Sequence, residues 1–110
     1  MVKCICLVKA KPGQTAEEFK KRWIEGHTQF AASWKNIKSY TLNFPLADVH
    51  EKQGMGPMFD GIGELVWDSY EDMVEDFNSE RGKLGFADAA EFMDLPLSLY
   101  FEEIVVELKK

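Results

Sequence analysis

No stretch of this sequence approaches the roughly 20 consecutive apolar residues that a helix needs to cross a bilayer, and no basic segment followed by a short apolar run opens it. The resulting expectation is a cytoplasmic protein with no membrane partner. Basic residues are outnumbered, 13 Lys and Arg against 19 Asp and Glu, for a formal charge of −6. That balance repels phosphate backbones and anionic surfaces, so nucleic acid is not an expected partner. Neither G-x-G-x-x-G nor a P-loop occurs, which removes the usual cradles for dinucleotides and nucleoside triphosphates, and no cofactor is expected. Cysteine is sparse: Cys4 and Cys6 stand two apart on one face of an expected strand, where neighbouring side chains pair poorly as a disulfide. Both are read as reduced thiols. Nothing resembling a linker divides the 110 residues, so residues 1–110 form a single domain with one core.

What the sequence does contain is an ordinary globular balance, 45% hydrophobic and 29% charged, organised around a helix from Thr15 to Ala32. Thr15 can cap its first turn while Glu18 reaches back, as in a capping box. Steps of three and four from Ala16 reach Phe19, Trp23, His27, Phe30 and Trp34, while Glu17, Lys20, Lys21, Arg22, Glu25 and Gln29 fall on the other face. His27 therefore points inward among aromatics, where an unsatisfied polar group costs about 1 to 3 kcal/mol. It is either a core histidine bonded to a backbone carbonyl or a group facing a cavity. Gly26, interior to the helix, costs about 1 kcal/mol relative to alanine and implies close packing or a kink beside the histidine.

Around this helix the pattern predicts a strand over Val2–Lys9, apolar on both faces and so covered on both, and a strand over Ile37–Pro45 with Tyr40, Leu42 and Phe44 on one face. Residues 47–58, with two glycines, a proline and no periodicity, are expected to be a long functional loop or lid carrying His50, which is either a solvated loop histidine or a site residue. Phe59–Trp67 is a third strand in which Gly61 and Gly63 leave room for something bulky. Asp60 and Glu64 share one of its faces, as solvated edge charges or as a carboxylate that orients His27. Ser69 caps a helix ending near Asn78, a short helix follows over Phe86–Asp94, and Leu97–Leu108 alternates as a fourth strand before a frayed end at Lys109 and Lys110. Strand, helix, strand, strand, helix, strand is the order of an α+β, ferredoxin-like βαββαβ fold, here with an extra short helix before the last strand. Its helices cover one face of the sheet. The other face, also apolar, is expected to be buried in a twofold homodimer packed sheet against sheet.

Three segments, FKKRWIEGH ending at His27, FDGIGELVWDS over Phe59–Ser69, and the SE…G…AD…F.D pattern over Ser79–Asp94, resemble in this order the EthD family of dimeric α+β barrel proteins. The resemblance implies a dimeric α+β barrel and, from isomerase-like members such as methylmuconolactone isomerase, a cavity served by a first-helix histidine, a second-strand tyrosine and a histidine of the following loop. By position these are His27, Tyr40 and His50. A cysteine that some members carry near the end of the third strand has no counterpart, since Val66, Trp67 and Asp68 stand there.

The expected function is cofactor-independent acid–base chemistry, an isomerisation, cyclisation or elimination on a small cyclic or aromatic oxygenated metabolite of a catabolic pathway. His27 is the base or acid, Tyr40 a donor to a carbonyl or enolate oxygen, and His50 a second acid–base group if the loop closes. Trp23, Phe30 and Phe44 supply apolar walls, with Asp60 and Glu64 as further substrate-binding candidates. The alternatives are a non-catalytic ligand-binding or stress-associated dimer and a cofactor-free monooxygenase of the same barrel. A metal set of Cys4, Cys6, His27 and His50 departs from the usual CxxC knuckle, and no metal is expected.

Overall fold

The computed structural model describes residues 1–56 and 58–109, with Leu95 and Pro96 by backbone alone. Four strands, β1 (Val2–Ala10), β2 (Ser39–Asn43), β3 (Gly61–Trp67) and β4 (Met93–Glu102), form one sheet in the order β2-β3-β1-β4. Every neighbouring pair is antiparallel. This is the ferredoxin-like α+β arrangement the element order implied, and in the single chain the sheet is open, not closed into a barrel.

One face of the sheet carries the helices. The first begins as α1 (Ala16–Arg22) behind a complete capping box, Glu18 N–H to Thr15 Oγ1 at 3.1 Å and Thr15 N–H to Glu18 Oε1 at 2.9 Å. It widens to a π-turn over Trp23–His27, which Thr28 N–H closes by reaching five residues back to the Trp23 carbonyl, and continues as α2 (Thr28–Ala32). Single π-turns of this kind recur at functional positions. This one ends on His27.

Residues 47–58 are not wholly irregular: α3 (Ala47–Lys52) occupies their first half, so the expectation of a structureless loop is corrected, and Pro57 lies outside the described residues. Helix α4 (Tyr70–Asn78) starts at the Ser69 cap as expected. Helix α5 (Glu80–Phe92) is longer than the expected Phe86–Asp94 segment, because Gly82 and Gly85 lie within it. Both glycines serve close approach: a Cβ on Gly82 would overlap the Asp76 carbonyl oxygen, and one on Gly85 would stand 3.2 Å from Phe30 Cβ. The helix breaker is tolerated where two backbones meet.

The last strand is displaced from its expected Leu97–Leu108 span. It starts at Met93, where α5 passes straight into extended chain, and ends at Glu102, opposite Val2. Beyond that point β1 has no residue left to pair with, so Ile104, Val105, Val106 and Leu108 stay exposed. Lys110, expected to fray, lies outside the described residues.

Two groups of buried side chains lie between sheet and helices. Val8, Phe19, Trp23, Ala89, Phe92 and Met93 form one, and Cys4, Ala31, Leu65, Trp67 and Met73 the other. The room left by Gly61 and Gly63 is taken by Trp23, whose ring would be 2.7 and 3.2 Å from a Cβ at those positions. On the uncovered face, register places Ile5, Leu7, Ile62, Leu97 and Leu99 side by side, with Leu97 and Phe101 almost half exposed.

Candidate functional site

Between the two buried groups a hollow of about 70 Å³ remains, lined by Cys6, Trp23, His27, Phe30, Trp34 and Tyr40 among mostly apolar neighbours. His27 enters it from the end of the π-turn, its ring packed edge-on to Phe92 at 5.4 Å and tilted against Phe30 at 6.0 Å. Its side chain is 14% exposed.

The imidazole has a partner that the sequence did not reveal. His27 Nδ1 lies 2.8 Å from Asp88 Oδ2, and Arg22 closes a fork on the same carboxylate with contacts of 2.6 and 3.1 Å. Arg22 also stacks on the Phe92 ring, 4.3 Å from its centroid. Asp88 is held below the ordinary carboxylate range, chiefly by the Arg22 guanidinium. A carboxylate can only accept, so Nδ1 must carry the proton and Nε2 the lone pair. Nε2 makes no hydrogen bond among the described residues, leaving it available to whatever fills the hollow. Burial lowers the imidazole pKa from its ordinary 6.5, against the opposing pull of Asp88. At pH 7 the ring is therefore a neutral, oriented base.

Gly26 now has a cause. A Cβ there would stand 2.8 Å from Arg22 Nη1, so the glycine makes room for the guanidinium that grips Asp88.

Tyr40 lines the same hollow and accepts a hydrogen bond from Trp23 Nε1 at 2.9 Å. With one lone pair so engaged, its own O–H remains to donate. Burial pushes its pKa up to about 12, which keeps it a proton-bearing donor across the physiological range.

The other expected site residues go elsewhere. His50, on α3, lines a second, more open hollow with Asn43, Phe44, Met55, Phe59 and Ile62, where its Nδ1 is buried without a partner among the described residues. Trp23 faces the first hollow and Phe44 the second, and their rings, 5.7 Å apart and nearly perpendicular, form the partition. So the structure brings His27 and Tyr40 together with Trp23 and Phe30 around one hollow, and places His50 and Phe44 on the other, with Phe44 touching Trp23 across the partition. Asp60 accepts from Ala10 N–H at 2.7 Å and Glu64 from Lys3 and Asn43, on the sheet face away from His27. Neither orients the histidine. Among the described residues no three His, Cys, Asp or Glu side chains converge as a metal site, so the four-ligand set is not assembled.

The EthD domain description matches residues 11–96, most of the chain. The chain belongs to the EthD family. Among solved structures it is similar to an EthD family protein of Bacillus halodurans, at 17% identity and a TM-score of 0.75, covering 94% of this chain and 99% of the other. SnoaB of Streptomyces nogalater, described as a cofactor-independent oxygenase, matches at 10% identity and a TM-score of 0.69, covering 96% and 94%. A dimeric ferredoxin-like protein of unknown function from Thermobifida fusca matches at 14% identity and 0.64, covering 91% and 86%. No functionally curated protein matches the chain. At these identities the likeness concerns the fold. For this EthD chain, moreover, no helix among the described residues is long and apolar enough to cross a membrane.

Proposed function

We propose that this EthD protein is a cofactor-independent enzyme that moves a proton on a small cyclic or aromatic oxygenated molecule. The observation that carries this reading is the His27–Asp88 pair at the edge of a largely apolar hollow. A neutral imidazole with its proton pinned on the far nitrogen is suited to remove a proton from carbon next to a carbonyl, and such positioned bases contribute roughly 10² to 10⁴ in rate. Tyr40 donates to the oxygen on which negative charge develops. Phe30, Trp23 and the other aromatics exclude water, which strengthens both interactions. His50 serves a separate hollow in this reading and takes no part in the step.

The working unit is a homodimer formed through the uncovered sheet face, where Ile5, Leu7, Leu97, Leu99 and Phe101 leave an apolar surface that a second copy would bury. Dimeric relatives of the same fold support this assembly.

The test is solvent deuterium incorporation into a panel of small cyclic ketones and lactones, followed by mass spectrometry. The wild type should label at least one member, and His27→Gln should abolish the labelling while the fold is kept. A panel labelled equally by both proteins would overturn the proposal, and ligand binding without exchange would favour a binding protein instead.

A further inference from the structure

The floor of the hollow holds a group that proton transfer between His27 and substrate does not use. Cys4 and Cys6 are free thiols on the helix-facing side of β1 with sulfur atoms 3.7 Å apart. Cys4 is sealed, whereas Cys6 lines the hollow beside His27 and Tyr40. On one side Cys6 pairs in register with Gly63, over which the Trp23 ring lies, and on the other with Ser98. The Ser98 hydroxyl points at Cys6 Sγ from 3.9 Å, so hydroxyl and Cys4 thiol both stand where they can donate to it. Two donors aimed at one sulfur favour its anion, and the thiolate is the reactive form. The direction agrees: Cys6 is lowered from the ordinary thiol value and Cys4 raised, chiefly by their mutual hydrogen bond.

We infer that Cys6 is a nucleophile of this cavity, adding reversibly to a conjugated carbonyl compound, an α,β-unsaturated ketone or lactone, whose oxygen is held by the Tyr40 hydroxyl. The inference rests on the reading of the hollow as the substrate site and narrows its substrate class. In the step a bond forms between Cys6 Sγ and the β-carbon while the carbon–carbon π bond breaks and its electron pair moves toward the carbonyl oxygen as an enolate. The thiol proton passes to His27 Nε2 and then to the α-carbon, so the sum is addition of S–H across the double bond. No oxidant or reductant is consumed. Reversal removes the α-proton and expels the thiolate, so the double bond returns between the same two carbons and Cys6 is free again.

The experiment treats the native protein with 2-cyclohexen-1-one and, separately, with iodoacetamide, and maps the modified residue by mass spectrometry. The expected result is modification of Cys6 alone, at pH 7 at least tenfold faster than a free thiol such as glutathione, with the half-maximal pH below the ordinary 8.5. Cys6→Ser should abolish it, and Cys4→Ala, which removes one donor, should raise the half-maximal pH. Folded protein that resists both reagents at Cys6, or that reacts with the rate and pH dependence of glutathione, overturns the inference. The deuterium assay separates its fate from that of the parent reading: exchange that needs His27 but is unchanged in Cys6→Ser removes the thiol alone. Fast Cys6 modification with no His27-dependent exchange removes the proton-transfer reading and keeps the thiol.

Discussion

Two aspartates on consecutive helices make the same contact and do different work. On α4, Asp76 accepts from the Trp67 indole N–H at 2.7 Å; on α5, Asp88 takes the His27 N–H at 2.8 Å. Asp76 is 1% exposed and also receives the backbone N–H of Asn36 at 3.1 and 3.2 Å. An indole has a single nitrogen, which donates and cannot accept. Once that nitrogen is satisfied the ring has no polar atom left to offer, and it stacks on Trp34 and meets Phe77 edge-on as core. Imidazole has a second nitrogen. Fixing the first one leaves the second without a partner among the described residues, and the ring lines a hollow. The carboxylate completes the core in one place and, in the proposed function, positions a base in the other, and the ring it holds makes that difference.

The comparison is broken most severely by His27→Gln, which keeps a polar side chain of similar length but removes the base. Turnover should fall about 10² to 10⁴-fold, while urea unfolding shows a stability close to wild type. Next comes Asp76→Ala, which orphans a buried indole N–H and a loop N–H; about 3 kcal/mol of stability should be lost, a drop in Tm of roughly 10 to 20 °C by calorimetry. An isosteric change at the other aspartate, Asp88→Asn, should lower activity about ten- to a hundredfold, the equivalent of one hydrogen bond to a charged group. Its effect on stability should be smaller than that of Asp76→Ala, since Asp88 lies at a partly open edge. If the two aspartate variants instead lose stability equally and activity equally, the distinction drawn between them fails.

Gly26→Ala is a finer probe. The added methyl pushes the Arg22 guanidinium off Asp88 without touching His27, so activity should fall severalfold, and Arg22→Ala in the same background should add little further loss. The smallest effect is on acid stability. Burial holds the His27 pKa below 6.5, so between that lower value and about 6.5 the unfolded chain binds more protons than the folded one, and stability declines as the pH drops through this window. Asp88, held low by Arg22, acts in the same direction at lower pH: its contribution is present above the unfolded carboxylate value of about 3.9 and is lost as pH falls through the folded value. The urea midpoint should therefore decrease from pH 7 to pH 5 in the wild type, and less so in His27→Gln.

Periodicity and capping made most of the fold legible. The Thr15 and Ser69 caps, the apolar face from Phe19 to Phe30 and the alternation in the first three strands are local signals, each read within a few residues. Where the reading slipped, the cause was distant. Gly82 and Gly85 argue against a helix until the chains they touch are known, and β4 stops at Glu102 because its partner β1 starts at Val2, which no local pattern in Leu97–Leu108 reveals. The site divides the same way. Helical spacing was enough to turn His27 inward, whereas alternation only grouped Tyr40 with Leu42 and Phe44, and its place beside the His27 cavity came from the family resemblance. Asp88, 61 residues further along the chain, stood in the sequence only as an acidic residue of the family pattern over Ser79–Asp94, with nothing to link it to His27. A weak signal did exist, because Gly26 beside an inward histidine, with Arg22 one turn earlier, called for a neighbour that needs space. His50 was grouped with His27 by family position, and only the Trp23–Phe44 partition shows the two hollows to be separate.

The most direct measurement is nitrogen-15 NMR of the His27 imidazole across pH. The account predicts a neutral ring at pH 7 with the proton on Nδ1, a titration midpoint below 6.5, and an Nε2 resonance that moves when a small cyclic ketone occupies the hollow. A proton resident on Nε2, or a midpoint above 6.5, would contradict it.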